Sequence, residues 1–124
     1  MVEVGDADEL YRRLAPDHVG DDGTVLSNAF KVKGKPDLRI SVDLAKLTTP
    51  EQALASVEGR GFGLGMLPAS LPRSLGFKVR HDPLPGNEAH ALIEGENTKD
   101  KCRTLADGTR VLIKPQRPHS SERA

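Results

Sequence analysis

The sequence predicts an α+β fold: one small domain carrying a mostly antiparallel or mixed sheet of about four to six short strands and about two or three helices. Three observations point there. Residues 37–45 alternate, with Leu38, Ile40, Val42 and Leu44 interleaved with Arg39, Ser41, Asp43 and Ala45, as a strand with one core face and one wet face requires. Thr49-Pro50-Glu51-Gln52 combines an N-cap, a proline at the first helical position, an acid in the first turn and a glutamine that completes a capping box. Short strands in hairpin-compatible runs are mixed with single helices, whereas a parallel sheet would show regular alternation of the two.

In chain order, Glu9–Leu14 reads as a short strand or a helical turn anchored by Leu10 and Leu14. Pro16 and the run Gly20-Asp21-Asp22-Gly23 then interrupt regular structure. After the strand at 37–45, the helix opened by Thr49 should run to about Val57 and stop at Gly59 and Gly61. The stretch 59–65 (GRGFGLG) places glycines at alternate positions, so an extended backbone there would have one face without side chains. A short helix is expected over 68–75 with Gly76 as its stop, then a strand over 77–81 and a proline-stiffened loop, Asp82-Pro83-Leu84-Pro85-Gly86. A strand over 89–94, a helix from an Asn97 cap to about Ala106, an Asp107-Gly108 turn and a strand over 110–114 complete the pattern. Residues 1–8 and the polar 115–124 bury nothing obvious and read as frayed ends around a domain of residues 9–114.

The chain's 124 residues fit one core, and with only Tyr11, Phe30, Phe62 and Phe77 as aromatics that core must be aliphatic. Eighteen bases balance eighteen acids, which removes any global field for nucleic acid or an anionic membrane. Locally, residues 1–23 carry seven acids against two arginines, and residues 97–124 carry seven bases against three acids, so the two ends attract. Cys102 is the only cysteine, which excludes an intrachain disulfide and a CxxC motif, fits a reducing compartment and makes the cytoplasm the expected location. No apolar leader and no membrane-length apolar run is seen.

Several residues are candidates for chemistry. The glycines fit neither GxGxxG nor GxxxxGK[ST], so a flexible loop, or a strand closely crossed by another element, is the favoured reading of Gly59, Gly61, Gly63 and Gly65. His81 and His90 flank the proline loop, and in a hairpin both imidazoles could approach one site. Asp82, adjacent to His81, would point to the other face, so a metal would need further ligands such as Asp17 or His18, and no metal or cofactor is implied. Ser27, Ser41, Ser70 and Ser74 stand outside any GxSxG elbow, and Cys102 reads as a small buried residue. Arg12 and Arg13, adjacent on a core element, need anionic partners: a bound phosphate or carboxylate, or an ordinary ion pair with an acid such as Glu9 or Asp17.

Leu10-Tyr11-Arg12-Arg13, Ile40-Ser41-Val42-Asp43, Thr49-Pro50-Glu51-Gln52-Ala53-Leu54 and Asp82-Pro83-Leu84-Pro85, leading to Asn87 and Ala89-His90-Ala91-Leu92-Ile93, together resemble a group of small bacterial proteins with no assigned activity. That resemblance implies a bacterial origin. Arg12 or Arg13, Ser41 and Glu94 also resemble the Arg-Ser-Glu layout of ADP-ribosyltransferase-like folds, in which the arginine and serine help hold NAD and the glutamate orients the ribose. The expected function is a small non-enzymatic module that binds an unidentified protein partner within a bacterial complex. Its binding surface would lie at His81, Asp82, Asn87 and His90 and at Gly61 and Gly63. The alternatives are a nucleotide-binding enzyme using Arg12, Arg13, Ser41, His90 and Glu94, and a nucleic-acid binder using Lys99, Lys101, Arg103, Arg110 and Lys114.

Overall fold

In the computed structural model, residues 1–31 and 39–116 are described. Six strands form one antiparallel sheet: β1 (Glu9–Leu14), β2 (Arg39–Leu44), β3 (Gly63–Pro68), β4 (Lys78–His81), β5 (His90–Glu94) and β6 (Arg110–Ile113). Their spatial order is β4-β5-β2-β1-β3-β6. Three helices accompany them: α1 (Pro50–Leu54), extended by a 3-10 turn at Ala55–Val57, α2 (Ser70–Ser74) and α3 (Lys99–Asp107). The fold is therefore α+β. Leu38 and Asp37 of the expected strand, and Arg117 to Ala124 of the expected tail, lie outside the described residues.

Alternation fixes the two faces of the sheet. Leu10, Leu14, Ile40, Val42, Leu44, Leu67, Val79, Ala91 and Ile93 all point inward and are buried in one cluster. The cover over them is α3, whose Cys102, Leu105 and Ala106 recur at helical spacing, together with Ala29 and Phe30 from the 3-10 turn Ser27–Phe30. Cys102 thus packs as a small apolar residue, its Sγ 3.5 Å from the Phe30 carbonyl.

The starts of α1 and α3 obey local capping chemistry. Thr49 accepts from the Gln52 amide at 3.2 Å, and Thr98 accepts from Lys101 at 3.1 Å. The second cap differs from the sequence expectation of Asn97. Asn97 instead turns inward, its amide donating to the Phe30 carbonyl at 3.0 Å, which leaves the next hydroxyl to cap α3.

Residues 1–8, expected to fray, lie against the domain. Val4 is buried, the Val2 amide donates to His81 Nδ1 at 2.9 Å, Asp6 pairs with Arg73 at 2.7 Å and Asp8 pairs with Lys46 at 2.8 Å. Pro115 is likewise buried, and the Gln116 amide donates to the Gly61 carbonyl at 2.8 Å. Between the acidic and basic ends, Glu9 pairs with Arg110 at 3.8 Å.

The glycine run divides. Gly59 and Gly61 hold positive φ in the turn leading out of α1, while Gly63 and Gly65 lie buried within β3. A Cβ on Gly63 would strike the Ile113 carbonyl and the Pro115 backbone, and one on Gly65 would lie 2.6 Å from Thr109 Cγ2. The close crossing expected from sequence is supplied by β6, whose pairing with β3 shifts register between Leu64 and Gly65. Gly63→Ala should therefore push β6 away and lower unfolding stability by roughly 1–3 kcal/mol, the usual range for overpacking, as read by denaturant melts. Gly65→Ala should cost less, because the obstructing Thr109 methyl belongs to a side chain.

Candidate functional site

The strand that buries Ile40, Val42 and Leu44 on one face must present Arg39, Ser41 and Asp43 on the other. Across the ladder these meet Glu94, Leu92 and His90 of β5 in register. The outer face of β2 and β5 is thus a block of polar groups, and three linked constellations occupy it.

The first is built on Asp43. Its side chain is only 2% exposed, although strand alternation predicts a wet face there. The cause is the covering of that end of the sheet by α1 and the loop between β4 and β5. Asp43 Oδ2 accepts from Arg13 Nη2 at 2.9 Å, and Oδ1 accepts from Asn87 Nδ2 at 2.9 Å. Arg13 Nε also donates to the Ala53 carbonyl of α1 at 2.6 Å. The expected ion pair of Arg13 is present, with Asp43 in place of Glu9 or Asp17, because β1 runs beside β2 and sets Tyr11 opposite Asp43.

The second runs through His90. Its Nδ1 lies 2.9 Å from the Asp82 main-chain carbonyl and 3.2 Å from Asp82 Oδ2. A carbonyl only accepts, so Nδ1 carries a proton, and in the neutral form of the ring the other nitrogen is an acceptor. That nitrogen, Nε2, is 3.2 Å from Ser41 Oγ, which therefore donates to it. His90 is 10% exposed at its side chain, while Ser41 is an exposed residue.

The third is an ion-pair cluster. Glu94 accepts from Arg80 Nε at 2.6 Å and pairs with Arg39 at 3.1 Å, and Arg80 also reaches Asp82 Oδ1 at 3.5 Å. The hydrogen bond from Arg80 holds the Glu94 carboxyl below its ordinary 4.5, partial burial opposes this, and the charges of Arg80 and Arg39 reinforce it.

The sequence candidates separate accordingly. Arg12 points to the inner face, where Nε donates to the Ala29 carbonyl at 2.9 Å and Nη1 to the Ser41 carbonyl at 2.8 Å, with the guanidinium 5.8 Å from the Phe30 ring centroid. Burial pushes its pKa down to about 10, with the positive charge of Arg13 adding to the effect. Arg12, Arg13, His90 and Glu94 hence do not converge: Arg12 and Glu94 occupy opposite faces, and Arg13 is committed to Asp43. The hairpin of β4 and β5 forms, yet His81 and His90 also take opposite faces. His81 is buried, with Nε2 donating to the Glu88 carbonyl at 2.6 Å. The residue that reaches His90 is Asp82: the β4–β5 register that sets His81 opposite Ala91 continues to Asp82 opposite His90, and the Asp82 amide donates to the His90 carbonyl at 2.8 Å. Among the described residues, no group of three or more His, Cys, Asp or Glu could hold a metal ion. Of the candidate bases, Lys99, Lys101 and Arg103 lie on α3, Arg110 lies on β6 and Lys114 directly follows it. Lys101 lies over the Phe77 ring at 5.1 Å on α3, and Arg110 faces outward beside Met66.

Gly61 lines a separate feature at the far end of the sheet, a cleft of about 860 Å³ between α1 with its 3-10 extension and the end of β6. Leu54, Val57, Phe62 and Ile113 supply apolar walls, and Glu51, Glu58, Arg60 and Lys114 supply charges. Gly63 is buried behind it under β6. Among the described residues β6 pairs only with β3, so its other edge is open, and Leu112 and Ile113 on it are exposed to 42% and 36%.

No family model, no curated protein and no solved structure matches the chain. No helix among the described residues is long and apolar enough to cross a membrane.

Asp43→Ala leaves Arg13 without its anion and should destabilise the fold by about 3 kcal/mol, the low end for breaking a buried pair, since Arg13 retains partial contact with water. Asp43→Asn, which keeps a hydrogen-bonding oxygen, should cost less in the same urea titration. For Glu94, a folded-state pKa below the unfolded value means its contribution is complete above pH 4.5 and is lost as the pH falls through the folded value. Stability measured from pH 6 down to pH 3 should therefore decline less steeply in Glu94→Gln than in the parent.

Proposed function

We propose that this chain is a protein-binding module, an accessory part of a bacterial assembly in the cytoplasm, and that it takes an extended segment of its partner along the open edge of β6. The observation that carries this reading is the coincidence of a strand edge unpaired among the described residues with an apolar-walled cleft beside it. An added strand would gain main-chain hydrogen bonds from the edge, and alternate side chains of the segment would enter the cleft. The cleft's volume falls within the range of about 300–1,000 Å³ typical of sites that enclose a ligand.

The walls indicate the partner's chemistry. Leu54, Val57, Phe62 and Ile113 favour a bulky apolar side chain, and Arg60, whose guanidinium stacks 4.9 Å over the Phe62 ring centroid, is placed to meet an acid beside it. Arg110 and Lys114 stand at the two ends of the strand edge and extend the preference to flanking acidic residues. The polar loop at Asp82, Asn87 and His90 is consumed by internal hydrogen bonds, which favours the glycine-side surface around Gly61 over it.

The test is selection from a random peptide display library on the labelled protein. Enriched peptides should alternate apolar residues with others, carry an acid near one end and move the amide signals of residues 59–62 and 110–116. Ile113→Lys should weaken binding at least tenfold with the fold intact. Enrichment of nothing, or of peptides that shift residues 82–90 alone, would sink the reading.

A further inference from the structure

Ser41, His90 and Asp82 stand in an order that ordinary packing does not require. A hydroxyl donates to one ring nitrogen at 3.2 Å, and the other ring nitrogen donates to a carbonyl at 2.9 Å with a carboxylate 3.2 Å away. Such an arrangement sets the tautomer that a general base needs: the free lone pair of His90 is aimed at the hydroxyl, and any positive charge gained by the ring is balanced by Asp82. The three residues come from three segments, β2, β5 and the loop after β4, and the register of β2 with β5 brings the first two together. Ser41 is also held from behind, since Arg12 fastens its main-chain carbonyl. Ser41 is an exposed residue, whereas the imidazole is nearly covered, so the base is shielded on the side away from the serine. Arg80, 3.5 Å from Asp82, brings positive charge to the same face.

We infer that Ser41 is a nucleophile, activated by His90 and oriented through Asp82, that accepts an acyl group from small activated esters. In the first step Oγ bonds to the ester carbonyl carbon as its proton passes to His90 Nε2. The carbon–oxygen bond to the alcohol then breaks, and that proton leaves with the alcohol. In the second step water attacks the acylated serine, His90 takes the water's proton and returns it to Oγ, and the carboxylic acid departs. The exposed, shallow position of Ser41 on a sheet face limits the substrate to a small acyl group. This site lies on β2 and β5, away from the β6 cleft, and does not depend on the binding reading.

The experiment uses a tagged fluorophosphonate on the full chain, followed by intact mass and peptide mapping. Oγ bonds to phosphorus, fluoride leaves and the hydroxyl proton goes to His90 and then to solvent. A single adduct mapping to Ser41 is expected, absent in Ser41→Ala and unchanged in Ser74→Ala. His90→Gln should slow labelling by about 10²–10⁴-fold, the usual contribution of a positioned base. Asp82→Asn should slow it less, because the main-chain carbonyl still fixes the ring. Thermal melts accompany each variant, and a Ser41→Cys variant alkylated by iodoacetamide supplies a second readout of the same His90 dependence. An adduct on another residue, no adduct, or equal labelling of His90→Gln and the parent would overturn the assignment.

Discussion

The burial of Asp43 is the constraint on which the rest of the outer face depends. A carboxylate so enclosed is tolerable only when its oxygens are engaged, and here they are shared between Arg13 from β1 and Asn87 from the β4–β5 loop. Arg13 then continues to the Ala53 carbonyl, so one anion joins two strands, a helix and a loop. The loop held in this way starts at Asp82, which the β4–β5 register sets opposite His90.

A complementary role falls to Arg12 on the inner face. β1 and β2 pair only at Leu10 with Leu44 and at Tyr11 with Asp43, while β2 continues its full pairing with β5. Where the two strands part, the Arg12 guanidinium occupies the gap and satisfies carbonyls on both sides, those of Ala29 and Ser41. Without it the carbonyl of the buried Ala29 and that of the exposed Ser41 would lose this donor. Two adjacent arginines therefore do opposite jobs, one bracing the core cover and the other bracing the surface, because strand alternation sends them to opposite faces.

Much of the fold was legible in local chemistry. The alternation around Ile40, the Thr49 cap with Pro50, and the turn residues between segments identify strands and helices because their causes lie within a few residues. What was not legible depends on partners distant in sequence. Asp43 reads as a solvent-facing acid until α1 and residues 82–89 are known to cover it. Asn97 reads as a cap until Phe30 offers it a carbonyl. His90 and Asp82 are near in sequence, yet their joining to Ser41 requires the strand order that sets β5 beside β2. An acid at the end of a strongly apolar alternating strand, next to a basic pair elsewhere, was the only local sign of the Asp43 pairing.

The strand order carries a further consequence. β2, β1 and β3 form the middle of the sheet, and the β4–β5 hairpin is added to one side while β6 is added to the other. Among the described residues no side-chain hydrogen bond joins the β4–β5 hairpin directly to β6; what they share is the central strands and α1, whose Ala53 carbonyl holds Arg13 and whose Glu51 and Leu54 line the cleft. Such a layout is modular at the scale of single strands. Selection could reshape the edge proposed to meet another protein while the serine-bearing side drifted or improved on its own schedule.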